Sequence, residues 1–69
     1  MYKCDVFIEF VDDYGRKRRF YYFNVPVRYI EGESVKIKDF DCNFYVSYER
    51  IILLVINGIT YVNKRKEKR

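Results

Sequence analysis

The sequence predicts one small all-β domain built from antiparallel strands, and three observations indicate this fold class. Residues that favour strands are abundant, with eight tyrosines and six phenylalanines among 69 residues, whereas alanine, the strongest helix former, is absent. Apolar residues recur at every second position along most of the chain, and short turn signals separate these stretches. The length allows one thin core, since a domain of this size buries only about 60% of the surface that its unfolded chain exposes.

The first two strands are predicted on either side of a turn at residues 12–15. Residues 2–11 carry apolar side chains at the even positions and mostly polar ones between them, which is typical of a half-buried strand. Gly15 closes the turn, because glycine readily adopts the positive φ of a glycine bulge. The second strand is predicted over residues 16–24, with a bend at Pro26, whose nitrogen has no hydrogen to donate to a sheet.

The middle of the chain is predicted to be extended after a turn at residues 31–34. Val35 and Ile37 alternate with lysines, whereas from Cys42 onward the apolar residues occupy the even positions. The phase of the pattern therefore changes near residue 40. This change predicts either one strand with a bulge or two strands with a tight connection.

The C-terminal part is predicted to be a hairpin. Residues 51–56, IILLVI, are apolar in both phases, which indicates a strand that is covered on both faces or contacts a partner chain. Asn57-Gly58 is a strong signal for a type I′ turn, which leads into a last strand at residues 59–63. A homodimer through the strand Ile51–Ile56 is one expected mode of association.

Five or six short antiparallel strands must protect the edges of their sheet, and closure into a barrel does so. We therefore predict a small five-stranded antiparallel barrel, SH3-like or OB-like, with an open curved antiparallel sheet that dimerises as the alternative. The barrel domain is expected to span residues 1–63. Residues 64–69 are expected to form a basic C-terminal tail.

Two segments resemble the Sm-like RNA-binding barrels. GESVKIKDFDCNFYV, which begins at Gly32, has that family's order of glycine, strand, aspartate and asparagine, and VINGITYV is similar to its second motif. The interval from Asp41 to Asn43 is shorter than the family's, and Asn57 stands where its arginine usually stands. The resemblance covers under half of the chain and carries over no residue role.

The net charge of +4 is confined to the C-terminus. Residues 64–69, KRKEKR, hold five basic residues and one acidic residue, so the rest of the chain is neutral. The first ten residues alternate between charged and apolar side chains and are not expected to act as a secretion signal, and the longest apolar stretch is shorter than the roughly 20 residues of a membrane helix. We expect a cytoplasmic protein without membrane contact, in the host cytoplasm if the source is viral.

The composition disfavours an enzyme. Histidine, the commonest general base near neutral pH, is absent, so the few serine, threonine and cysteine side chains lack an imidazole partner. Asp39 and Asp41 stand two positions apart, but no third acidic residue follows at a metal-ligand interval. We expect no catalytic residue, no metal and no cofactor.

The segment GRKRRFYYFN, residues 15–24, and the basic tail are the candidate binding elements. On a strand, Arg19, Tyr21 and Phe23 would share one face, while Arg18, Phe20 and Tyr22 would share the other. Aromatic rings stack on unpaired bases and basic groups hold phosphates. The residues predicted to bind are Arg16, Lys17, Arg18, Arg19, Phe20, Tyr22, Lys64, Arg65, Lys66, Lys68 and Arg69.

These residues predict a non-enzymatic binding module for single-stranded nucleic acid or for the backbone of a nucleic acid. The rings expected to be exposed are Phe20, Tyr22, Tyr45 and Tyr14. The same residue types are typical of protein interfaces. The alternative is therefore a protein–protein interaction module or a small regulator or inhibitor encoded by a virus or plasmid.

Overall fold

The computed structural model describes residues 3–39 and 42–65, which form six β-strands and one short helix. In chain order the elements are β1 Lys3–Val11, β2 Lys17–Ile30, β3 Ser34–Asp39, β4 Cys42–Ser47, a 3₁₀ helix Tyr48–Arg50, β5 Ile51–Ile56 and β6 Ile59–Asn63. The strands form one antiparallel sheet in the spatial order β4-β3-β2-β1-β5-β6. The first strand of the chain therefore lies inside the sheet, and β4 and β6 form its edges.

The all-β fold class predicted from the composition is confirmed. The five-stranded barrel is not confirmed, because the sheet has six strands and its edge strands β4 and β6 are not paired with each other within the described residues. The alternative, an open antiparallel sheet, fits the structure. Its dimerisation stays a prediction.

Contacts between distant strands show that the sheet is strongly curved. Three strand intervals, about 14 Å in a flat sheet, separate β4 from β1. The ring centroids of Phe44 on β4 and Phe10 on β1 are nevertheless only 5.2 Å apart. At the other end, Tyr29 of β2 lies 5.7 Å from Tyr61 of β6 across the same number of intervals. The sheet therefore encloses its own core on the concave face.

The core lies on this concave face, which we call the inner face. It is supplied by the even positions of β1, such as the fully buried Val6 and Ile8, and by the apolar residues paired with them on the neighbouring strands. Partly buried rings pack around this centre. The buried apolar residues are Val6, Ile8, Phe10, Val25, Val35, Ile37, Val46, Ile51, Leu54, Ile56 and Val62.

A bulge in β2 keeps this strand in phase with the core. Phe23 and Asn24 lie opposite the single residue Asp5 of β1, and Asn24 has a φ of 55°. The backbone N–H of Asn24 donates to the Asp5 carboxylate over 3.0 Å. Since the bulge inserts one residue, the side chains on the inner face are even-numbered before it, ending at Tyr22, and odd-numbered after it, beginning at Val25.

Pro26 does not end β2. Residues 17–26 of this strand pair with β1, and residues 27–30 pair with β3. Pro26 is thus the last residue of the first pairing, where β2 changes its partner. The position of the predicted bend coincides with this change of partner, and the bend itself stays a prediction.

The predicted turns are present. Gly15 and Gly58 have φ values of 79°, and Asn57 has a φ of 51°, as a type I′ turn requires of its two central residues. The change of phase near residue 40 separates two strands, β3 and β4, and is not a bulge within one strand. The 3₁₀ helix Tyr48–Arg50 was not predicted, because a single turn leaves no periodic pattern in the sequence.

Candidate nucleic-acid interface

The convex side of the sheet, which we call the outer face, carries exposed aromatic rings in the first half of β2. Glu9 of β1 pairs with Arg19 and Phe7 pairs with Tyr21, so Arg19, Tyr21 and Phe23 lie on the face opposite to the core. Tyr21 is 61% exposed and Phe23 68% exposed. Because neither ring is covered, both are accessible to a planar ligand.

The exposed rings pack against one another. The rings of Tyr21 and Phe23 stack with centroids 4.7 Å apart and planes 17° apart. Phe7 packs against Tyr21 edge to face at 5.9 Å, from the half-buried position opposite on β1. We call Phe7, Tyr21 and Phe23 the aromatic stripe. Its mutual packing holds two exposed rings in place before any ligand binds.

Phe20 and Tyr22 lie on the inner face, and the prediction that they are exposed was wrong. Both are half-buried against the core, and Phe20 lies 5.6 Å from Phe10 and 5.4 Å from Phe44. Burial raises the pKa of the Tyr22 hydroxyl. These two rings stabilise the fold, and their neighbours in the sequence, Tyr21 and Phe23, form the accessible surface.

The basic run before the rings is divided between the turn and the two faces. Arg16 ends the turn, with its guanidinium 5.7 Å from the ring of exposed Tyr14. Arg18 forms an ion pair of 3.4 Å with Asp12, and its guanidinium lies 5.8 Å from the Phe20 ring. Lys17 and Arg19 lie on the outer face, so only these two continue the line of the aromatic stripe.

Lys17 and Arg19 meet the start of the C-terminal tail around a depression of about 600 Å³. The chain after β6 continues alongside β5, where the Lys64 N–H donates to the Ile52 carbonyl over 2.7 Å. The depression is lined by Glu9, Lys17, Arg19, Ile52, Lys64 and Arg65. Four basic side chains surround one carboxylate, so the site has an excess of positive charge. We call Lys17, Arg19, Lys64 and Arg65 the basic cluster.

Glu9 binds the two arginines of this cluster. Its side chain is only 3% exposed, and one carboxylate oxygen accepts hydrogen bonds from Nε and Nη2 of Arg65 over 3.0 and 2.8 Å. The other oxygen accepts a bond of 3.4 Å from Nε of Arg19. The Arg65 hydrogen bonds, supported by Arg19, hold the pKa of the Glu9 carboxyl below its ordinary value despite burial. Glu9 therefore remains charged at neutral pH and fixes two guanidinium groups on the outer face.

Two residues of the predicted tail are attached to the body. The Lys64 ammonium donates to the Tyr48 carbonyl over 2.6 Å and lies 3.9 Å from the centroid of the Tyr48 ring, and Arg65 binds Glu9. The remaining predicted contacts, Lys66, Lys68 and Arg69, lie outside the described residues. The basic tail therefore begins at the basic cluster, and its first residues contribute to a fixed site.

The outer-face location of Tyr21 and Phe23 could have been found from the sequence. A turn over residues 12–16 pairs Glu9 with Arg19, so even positions lie opposite even positions. Since the even-numbered side chains of β1 are buried, Phe20 and Tyr22, which pair with them, must lie on the same inner face. The contact between Glu9 and Arg65, in contrast, joins residues 56 positions apart, and no local pattern indicates it.

Comparisons with protein families, curated proteins and solved structures found no match. Within residues 3–39 and 42–65, no group of three or more acidic or cysteine side chains is arranged to hold a metal ion. Asp41 of the Asp39 and Asp41 pair lies outside the described residues. None of the helical residues described forms a segment long and apolar enough to cross a bilayer.

Proposed function

We propose that this protein is a non-enzymatic module that binds single-stranded nucleic acid on its outer face. The observation that carries the proposal is the juxtaposition, on one face of β2, of two exposed stacked rings and the basic cluster. Unpaired bases stack on Tyr21 and Phe23, while Lys17 and Arg19 contact the adjoining phosphates. Arg65 and Lys64 add positive charge at the same end.

The expected energetics favour a single strand over a duplex. Stacking on an aromatic side chain contributes about 1–3 kcal/mol per base, and it needs bases whose faces are accessible. A duplex covers these faces and would leave binding to phosphate contacts alone. Because residues 1–63 have no net charge, such contacts are confined to local basic surfaces. The aromatic stripe therefore supplies the preference for unpaired nucleotides.

The proposal is tested by fluorescence anisotropy with labelled dT12, rU12 and a 12-base-pair duplex at 50 and 200 mM salt. We expect both single strands to bind more tightly than the duplex, with affinity that falls as salt rises. The double variant Tyr21→Leu/Phe23→Leu should lower single-strand affinity at least 10-fold. Tyr14→Leu, which removes a tyrosine at the turn that is more exposed than either ring, is the matched control and should change affinity less than twofold.

Two results would contradict this function. One is the absence of binding to either single strand at 50 mM salt. The other is an equal loss of affinity in the double variant and in the Tyr14→Leu control. Thermal unfolding followed by circular dichroism must show that both variants remain folded at the temperature of the titration.

A second candidate function is a protein–protein interaction module, such as a small regulator or inhibitor encoded by a virus or plasmid and acting in the cytoplasm. It is favoured by the apolar outer-face residues beside the aromatic stripe, since Leu53 and Val55 of β5 are only half-buried there. Tyrosine, arginine and other large side chains of this kind dominate interface energies. A homodimer through Ile51–Ile56 would use the same surface. Sedimentation equilibrium of the wild type and of Val55→Lys tests it, with dimer loss expected in the variant.

A further inference from the structure

A second basic surface lies on the outer face of β2, β3 and β4. Arg28 on β2 pairs with Lys36 on β3, and Lys36 pairs with Tyr45 on β4, so the three side chains form a row across three strands. Lys38, the next outer-face residue of β3, pairs with Asn43. We call Arg28, Lys36, Lys38, Asn43 and Tyr45 the β3 patch. The alternation of Val35 and Ile37 with lysines indicates that the lysines face outward, but only the strand order shows their neighbours.

No carboxylate is found among the described residues that line the depression of the β3 patch, so its positive charge is not balanced there. Its side chains line a depression of about 420 Å³, together with Pro26, Ile37 and Phe44, and no acidic residue contributes to that lining. Among the described residues, none of Arg28, Lys36 and Lys38 forms an ion pair. Tyr45 is 58% exposed and offers a ring beside these charges. The patch thus repeats the combination of ring and cation found at the other end of β2, without a counterpart of Glu9.

The two basic surfaces are joined by β2 itself. Because the bulge at Asn24 changes the phase, the outer face of this strand presents Tyr21 and Phe23 before it and Pro26 and Arg28 after it. A groove of about 350 Å³ links Phe23 to Lys38; the other residues lining it are Lys3, Asn24, Val25, Pro26 and Asp39. The aromatic stripe therefore lies between two positively charged regions.

We propose that one nucleic-acid strand runs along β2 from the basic cluster, over the aromatic stripe, to the β3 patch. This inference rests on the proposed function and adds the path and the length of the bound nucleic acid. From Lys17 to Arg28, β2 spans about 36 Å at 3.3 Å per residue. That distance corresponds to about ten stacked nucleotides at 3.4 Å each, and to fewer when the strand is stretched. Four nucleotides reach the stripe and one basic end, whereas twelve reach both ends.

The test compares dT4 and dT12 on two double variants that remove the same charge. Lys36→Gln/Lys38→Gln alters the β3 patch, and Lys17→Gln/Arg19→Gln alters the basic cluster. We expect the wild type to bind dT12 at least 10-fold more tightly than dT4. The β3-patch variant should lose about 10-fold in affinity for dT12 and reduce its logarithmic salt slope by about 1.4, since each phosphate contact on a single strand contributes about 0.7.

The same β3-patch variant should bind dT4 within twofold of the wild type, whereas the basic-cluster variant should weaken both oligonucleotides. Unchanged binding of dT12 in the β3-patch variant, equal losses for dT4 and dT12 in that variant, or no gain with length in the wild type would each overturn the continuous path. In all three cases single-strand binding itself would still stand. A wild type that binds neither oligonucleotide would instead overturn the proposed function. Unfolding temperatures of the variants, whose substituted side chains are all exposed, check that folding is retained.

Discussion

The two faces of β2 carry nearly the same chemistry and have opposite roles. Phe20 and Tyr22 on the inner face pack against the core, while Tyr21 and Phe23 on the outer face are exposed and contact mainly one another and Phe7. Composition does not distinguish these pairs. Their roles follow from the pairing of β2 with β1, whose even-numbered side chains are the buried ones. In this protein the position of an aromatic residue relative to the strand pairing decides whether it stabilises the fold or presents a surface.

The largest difference in stability between substitutions on the two faces is expected at two adjacent leucines of β5. Leu54 is fully buried on the inner face, whereas Leu53 is half-buried on the outer face. Leu54→Ala should lower the free energy of unfolding by about 2–5 kcal/mol, because it leaves a cavity in the core. Leu53→Ala should lower the free energy of unfolding by about 1 kcal/mol, because the Leu53 side chain buries less apolar area on folding than Leu54 does. Urea denaturation followed by circular dichroism measures both, and equal losses would show that the outer face is covered in solution.

The aromatic pairs of β2 should separate stability from binding. Phe20→Ala should lower the free energy of unfolding by about 2–4 kcal/mol, since Phe20 packs against two other phenylalanines. Phe23→Ala should change it by less than about 1 kcal/mol, as for most exposed positions. In the folded protein, Phe23→Ala should weaken dT12 binding about 5- to 150-fold. If Phe20→Ala, measured where it is still folded, reduces affinity as much as Phe23→Ala does, the outer face is not the site.

The bulge that relates the two faces should be sensitive to the residue at its positive φ. Asn24→Val should lower the free energy of unfolding by about 1–3 kcal/mol, because a β-branched residue is strained at a φ of 55°. Asn24→Gly should leave it within about 1 kcal/mol of the wild type. Asn43→Val, on the exposed edge strand β4, is the matched control and should not destabilise the protein. Thermal unfolding of the three variants tests whether the backbone conformation at Asn24 matters.

The smallest effect on stability is expected from the buried carboxylate of Glu9 on the outer face. Since the folded-state pKa of Glu9 is lowered, its contribution to stability is present above the ordinary glutamate pKa and is lost as the pH falls through the lowered value. Glu9→Gln should cost about 1 kcal/mol at pH 7, because both arginines are partly exposed. Urea midpoints at pH 7 and pH 3 should therefore differ less in Glu9→Gln than in the wild type. An identical pH dependence in both proteins would place the acid-sensitive groups elsewhere, and Asp12, whose pKa is also lowered, is the next to substitute.

Much of the fold was predictable from the sequence because it depends on local patterns. Alternating residues and the turns at Gly15 and Asn57-Gly58 predict most of the strands. The prediction of a barrel assumed that the two edge strands pair with each other. Whether they do depends on the curvature of the whole sheet, which local patterns do not indicate. Contacts such as Phe10 with Phe44 determine that curvature, and they join residues far apart in the chain.

The candidate site was predictable in its residue types and less so in its geometry. Lys17 and Arg19 were predicted as contacts and lie on the outer face, but Phe20 and Tyr22 were selected in place of Tyr21 and Phe23. The period of two residues within β2 alone defines two faces without indicating which one is buried, and the choice requires its pairing with the even-numbered side of β1 across the turn. The row formed by Arg28, Lys36 and Tyr45 could not be read from the sequence, since it requires the register of three strands.

The bulge at Asn24 also restricts how this chain can change during evolution. If β2 kept all of its residues but paired with β1 in regular alternation, every side chain after the bulge would exchange faces. Val25, Val27 and Tyr29 would then point to solvent, and Arg28 would enter the core. Deletion of Asn24 itself would keep these side chains on their present faces, because Val25 would directly follow Phe23 opposite β1. Relatives that lack the bulge should therefore be one residue shorter within β2, and an alignment with a single gap at this position would identify them.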